Sequence, residues 1–218
     1  MPRIARGLSK NCIYHILNRG NGKQNIFHKE QDYKAFIDLV KEAKTRYSVK
    51  IFAYCLMPNH FHLILMPHLP EELSKFMQWL MTSHVRRYHK HYGTSGHIWQ
   101  GRFKSFIIQK ENYLLTAIKY VEGNPVRAGM VSSSKNWNWS SHRETIYERS
   151  KQIITKAPVE LFKEWTKYVD EIWDDVELKK IHQSVNRQSP YGEPKWQVKI
   201  AEELGLKSTL VPRGRPKK

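Results

Sequence analysis

The stretch from Lys50 to Met66, KIFAYCLMPNHFHLILM, decides how this chain is read. Two apolar runs, Lys50 to Met57 and His60 to Met66, flank the pair Pro58-Asn59, and a turn signal between two strand patterns predicts an antiparallel hairpin. In a strand, positions two apart face the same side. His60 and His62 therefore stand side by side at the start of the second strand, with Phe61 and Leu63 turned to the other face. Neutral imidazoles placed this way can chelate a divalent cation. The same pair equally suits a half-exposed sheet face that binds nothing.

Outward from the hairpin, elements alternate regularly. Cys12 to Asn18 reads as a strand, followed by the turn signal Arg19-Gly20-Asn21-Gly22. Glu30 to Tyr47 is an amphipathic helix, because Tyr33, Phe36, Ile37, Val40, Ala43 and Tyr47 recur at helical spacing. A second helical stripe, Leu73, Phe76, Met77, Leu80, His84, Val85 and Tyr88, runs from Glu71 to about His89, and Arg102 to Gln109 reads as a further strand. Strand, helix, strand, strand, helix, strand is the order of a ferredoxin-like α+β domain, an antiparallel sheet with helices on one face. A third helix, Glu111 to about Gly123, carries the apolar stripe Tyr113, Leu114, Ala117, Ile118 and Val121. At roughly 100° per residue, Tyr120 lies about 90° from the middle of that stripe, with Asn124 one turn later on nearly the same azimuth. Both can reach a site beside the sheet, although an edge tyrosine with a packed ring and a wet hydroxyl fits the pattern as well.

The 218 residues suffice for one domain with an extension, or for two small ones. Lysine and arginine number 37 against 20 acidic residues, a formal charge of +17, which is the balance of a polyanion binder with nucleic acid as default partner. Residues 1–150 carry +13 of that charge and residues 151–218 carry +4, which sets a soft boundary near Ser150 to Thr155. Cys12 and Cys55 are the only cysteines and form no CxxC pair, arguing for a reducing compartment and against a cysteine-ligated zinc site. With no run of 18 apolar residues and no signal-peptide pattern, a cytoplasmic, nucleoid-associated protein is expected.

Three blocks carry a further signal: Pro58-Asn59-His60-Phe61-His62, Ile98-Trp99-Gln100-Gly101-Arg102-Phe103, and Tyr120-Val121-Glu122-Gly123-Asn124-Pro125-Val126-Arg127-Ala128-Gly129. In this order they resemble the signature blocks of the REP-associated tyrosine transposases, single-tyrosine insertion-sequence transposases of the HUH nuclease superfamily. The likeness covers roughly residues 8 to 147. It implies His60 and His62 as ligands of Mg²⁺ or Mn²⁺, Tyr120 as the nucleophile on single-stranded DNA, and Asn124 as third ligand in place of a glutamine in related enzymes. Tyr113 is the rival nucleophile, but it lies two turns earlier and inside the apolar run. The expected activity is cleavage and strand transfer at DNA hairpins through a 5′-phosphotyrosine, by a monomer; a dimer exchanging tyrosine helices stays open, as does a catalytically silent DNA- or RNA-binding regulator. The absence of a GxxxxGK[ST] loop agrees with chemistry that needs no nucleotide.

Candidate DNA contacts follow from charge and aromatic interleaving. Trp99, Arg102 and Lys104 suit base stacking and phosphate pairing, or else the core and rim of a strand. Arg86 and Arg87 close the second helix, and Arg127 follows the Asn124-Pro125 turn as a phosphate clamp. His89 and His91 form a second HxH, but in a helix such positions point about 200° apart. Beyond a short helix predicted over Trp196 to Leu204, the chain closes on Arg213-Gly214-Arg215-Pro216, similar to an AT-hook that lays arginines into the minor groove of A·T-rich duplex, or else an ordinary basic terminus.

Overall fold

A computed structural model describes residues 7–147 and 153–211. Strand β1 (Ile13–Arg19) leads into helix α1 (Glu30–Arg46), the hairpin β2 (Val49–Met57) and β3 (His60–Pro67), helix α2 (Pro70–Tyr92) and strand β4 (Lys104–Ile108). The four strands form one antiparallel sheet in the order β2-β3-β1-β4. This is the predicted ferredoxin-like arrangement, with the hairpin turn at Pro58-Asn59. Two loop amides, of Ile26 and Phe27, donate to the Pro58 carbonyl, and the Gly20 amide donates to that of Asn59, so the turn is gripped from outside.

Alternation assigns each strand residue to a face. Tyr14 and Ile16 of β1 and Phe61, Leu63 and Leu65 of β3 pack under α1 and α2, where Phe36, Val40, Leu73, Phe76 and Leu80 close a dry core. Each such side chain contributes about 1.5–3 kcal/mol when fully buried. A bulge in β2 between Ile51 and Ala53 turns both Phe52 and Ala53 to the opposite face. Helix α2 opens on Pro70, whose missing N–H costs nothing in the first turn, and stops at Gly93, which takes a left-handed φ of 61°.

The other face of the sheet is covered by α3 (Asn112–Glu122), the short turn α4 (Asn124–Arg127), α5 (His142–Tyr147), α6 (Trp165–Asp170) and α7 (Asp175–Arg187). The last helix, α8 (Pro194–Glu203), instead reaches the α1–α2 core through Ala201. Segments after residue 153 are bonded to the sheet. Tyr191 exchanges backbone hydrogen bonds with β4 through the Ile107 carbonyl and the Gln109 amide, and the Thr155 amide donates to Ile51 of β2. Asp174 caps α7 by accepting from the amides of Val176 and Glu177. Glu122, fully buried at the end of α3, accepts from Ser141, Thr145, His142 Nδ1 and Trp165 Nε1, and so clamps α5 and α6 onto that helix. Among the described residues no helix is long and apolar enough to cross a membrane.

Candidate active site

The histidines of β3 and the tyrosine of α3 meet on the face opposite α1 and α2. Strand register places His60 opposite Arg19, His62 opposite Leu17, and His15 opposite Ile64, so His15 and His62 are diagonal neighbours on one face. The rings of His60 and His62 are 5.0 Å apart between centroids, and the Tyr120 ring stands edge-on to His62 at 5.8 Å. His60, His62, Tyr120 and Asn124 line one cleft of about 430 Å³, whose rim includes Arg19, Arg102 and Lys104.

Each proposed ligand ring is already held through one nitrogen. His60 Nδ1 bonds Asn59 Oδ1 at 2.6 Å, and His62 Nδ1 bonds His15 Nε2 at 2.7 Å. A ligating histidine is commonly oriented in this way by a partner on its second nitrogen. Burial, followed by the Arg19 and Arg127 guanidiniums, pushes His60 down to about 4 against an opposing pull from Asn124. Burial, followed by His15, His60 and Arg127, holds His62 well below its ordinary value. Both rings are thus neutral at pH 7, the state that offers a lone pair. Among the described residues no three His, Cys, Asp or Glu side chains form a metal-binding group. Two imidazoles with the Asn124 amide oxygen, completed by water or phosphate oxygens, are nevertheless a donor set that fits a divalent cation.

Tyr120 is only 6% exposed. Its ring contacts Trp173 at 5.9 Å and His182 of α7 at 5.7 Å, and the Arg127 guanidinium lies over it at 4.2 Å. Burial raises the phenol above its ordinary value, while the adjacent Arg127 cation pulls the other way.

The other expected contacts distribute unevenly. Arg102 is exposed on the cleft rim, and Lys104 points into the cleft from β4. Arg127 is half-buried and donates from Nη2 to the Tyr120 carbonyl at 2.6 Å, so it braces the tyrosine helix where a surface clamp was expected. Trp99 is 7% exposed and packs against Phe61, His84 and Phe36 in the α1–α2 core, which removes it as an open stacking platform. Trp99 also lines a groove along α2 that includes Arg86. Arg87 turns toward α1, pairing with Asp32 at 3.5 Å and donating to the Gln31 carbonyl. Arg213 and Arg215 lie outside the described residues. The residues missed from sequence are His15, Trp173 and His182. A histidine inside the apolar run Ile13-Tyr14-His15-Ile16 was the one available signal; nothing local marks the other two.

The chain matches the family described as IS200-like transposase over residues 8–124, more than half its length. It belongs to that family. A relative from Haemophilus influenzae described as a REP-associated tyrosine transposase is 31% identical over 123 residues, covering 50% of this chain and 68% of the relative. The chain is therefore a tyrosine transposase of the REP-associated type, and an enzyme. Its fold matches the solved structure of a REP-associated tyrosine transposase bound to a REP hairpin with a TM-score of 0.59, at 18% identity, over 80% of this chain and 93% of the other.

Proposed function

We propose that this transposase cleaves and rejoins single-stranded DNA beside a hairpin, with Tyr120 as nucleophile and His60, His62 and Asn124 as holders of Mg²⁺ or Mn²⁺. The observation that carries this reading is the convergence of the Tyr120 ring with both histidines and Asn124 in one cleft. A cation held there supplies electrophilic polarisation of the scissile phosphate. The Tyr120 oxygen attacks phosphorus in line, the bond from phosphorus to the 3′ oxygen breaks, the phenol proton passes to solvent, and the 3′ oxygen takes a proton from solvent to leave as a hydroxyl. The product is a 5′-phosphotyrosine that conserves the phosphodiester energy. A 3′-hydroxyl attacking it reverses the step, so joining requires no nucleotide cofactor.

Arg102 and Lys104 on the cleft wall receive the flanking phosphates. Residues 1–150 carry the chemistry in this scheme, and residues 151–218 form an extension that supplies Trp173, His182 and the cleft-lining Val185 and Asn186. The hairpin partner is inferred from the relative solved with a REP hairpin.

The test uses a labelled hairpin with an unpaired flank, with Mn²⁺ or Mg²⁺ present. A covalent adduct that survives denaturation is expected, and Tyr120→Phe removes it while hairpin affinity stays within about two-fold. Binding without any adduct, across hairpins and unpaired strands, would instead establish a silent DNA-binding regulator.

A further inference from the structure

We infer that His15 is a positioning residue for this site: it accepts the Nδ1 proton of His62 and so holds that ring in the orientation and tautomer that turn the Nε2 lone pair toward a divalent cation. The inference rests on the metal reading above and adds to it a residue outside all three signature blocks.

His15 pairs with Ile64 on β3 and with Phe106 on β4, while His62 pairs with Leu17, so the two imidazoles meet diagonally across the β1–β3 ladder. Neither ring has freedom to turn away. His15 is wholly buried and His62 is 3% exposed, with Phe106 against His15 at 4.8 Å and the Tyr120 edge at 5.9 Å. The Nε2–Nδ1 distance of 2.7 Å is that of a good hydrogen bond.

Two neutral imidazoles sharing one hydrogen bond admit only two arrangements. If His15 Nε2 donates, His62 Nδ1 accepts and its Nε2 carries a hydrogen, which would repel a cation. If His62 Nδ1 donates, its Nε2 is a bare lone pair. Only the second arrangement can ligate, and it requires an acceptor at the position of His15 Nε2. It also places the remaining hydrogen on His15 Nδ1, a buried atom with no hydrogen-bond partner among the described residues. The ligating tautomer thus leaves a buried donor unmet, at a cost in desolvation. A structural packing role alone would be filled better by an apolar ring at this dry position.

The test separates an acceptor from mere bulk. Glutamine places its carbonyl oxygen about where Nε2 of histidine stands, whereas phenylalanine fills the space and accepts nothing. Mn²⁺ binding to the full chain, followed by electron paramagnetic resonance of free Mn²⁺, should weaken about 10–100-fold in His15→Phe, the range for losing a partner that orients a ligand. His15→Gln should stay within about three-fold of wild type. Nitrogen-15 shifts of the His62 ring in the wild-type protein with Mg²⁺ should report a protonated Nδ1 and an unprotonated Nε2. Hairpin affinity in EDTA and the unfolding midpoint check that each variant folds; if His15→Phe does not, the glutamine variant and the ring shifts still decide. Equal Mn²⁺ affinity in wild type and His15→Phe, or a His62 ring protonated at Nε2 with Mg²⁺ bound, would overturn the role of His15 and leave the metal reading standing. Failure of wild type to bind Mn²⁺ at all would overturn both.

Discussion

Toward α1 and α2, strands β1 and β3 present Tyr14, Ile16, Phe61, Leu63 and Leu65; toward α3, the same strands present His15, His60 and His62, one residue out of phase. The first set meets two long amphipathic helices across a mainly apolar interface. The second meets a tyrosine, an asparagine and a guanidinium, and pays for polarity inside a protein with hydrogen bonds such as His15–His62 and Arg127–Tyr120. Because strand period is two, one backbone carries both a stabilising face and the face proposed to react. Substitutions on the two faces should therefore fail in different measurements.

The largest expected effect lies on the apolar side. Phe36 is fully buried between Phe27, Phe61 and His84, and Phe36→Ala should cost about 3–5 kcal/mol in urea unfolding. The folded fraction should still form the phosphotyrosine adduct at the wild-type rate, with activity normalised to folded protein as the readout. A proportionate loss of specific activity would mean that the faces are coupled. His62→Ala is the mirror experiment. Adduct formation should fall more than about 100-fold, beyond the loss seen when only a ligand's orienting partner is removed, while the unfolding midpoint moves far less than for Phe36→Ala. If the adduct persists with Mn²⁺, the reacting face has been assigned to the wrong histidine.

How much of this was legible follows the same division. The sheet and its first two helices could be read because each carries its own periodicity, and Phe36, Phe76 and Leu63 belong to unbroken stripes. His60 and His62 were legible for a local reason also, since adjacent alternate positions need no tertiary information to face one way. Tyr120 needed the azimuth of its helix together with the likeness of its surrounding block. His15 was hidden because its meaning arises from the diagonal register across to His62, which a single strand does not reveal. Trp173 and His182 reach Tyr120 from more than 50 residues away, and nothing in their own segment points to it. Trp99 misled because an aromatic beside basic residues serves equally as core or platform, and only packing against Phe61 and His84 decides. Arg127 misled in the opposite direction, a cation expected at the surface that turns inward over the Tyr120 ring.

A smaller effect is expected at the edge of the apolar face, where the carboxylate of Asp32 is buried. Asp32 accepts from the amides of His28 and Lys29 at the start of α1 and from the Tyr92 hydroxyl at the end of α2, with the Arg87 guanidinium 3.5 Å away. Burial alone would raise its carboxyl, but the Tyr92 hydroxyl, the two amides and Arg87 outweigh burial and hold it below the ordinary 3.8. A carboxylate depressed on folding stabilises the native state fully above its ordinary value, and the contribution drains away as pH falls from there through the folded value. Asp32→Asn keeps one accepting oxygen and removes the charge, so it should cost about 1 kcal/mol at pH 7. The gap between variant and wild type should close below about pH 4, where the native carboxyl also becomes protonated. A gap that is constant from pH 7 to pH 3 would show that shape and not charge ties α1 to α2. Adduct yield at pH 7 should be unchanged, because no bond of Asp32 crosses the sheet to the histidines.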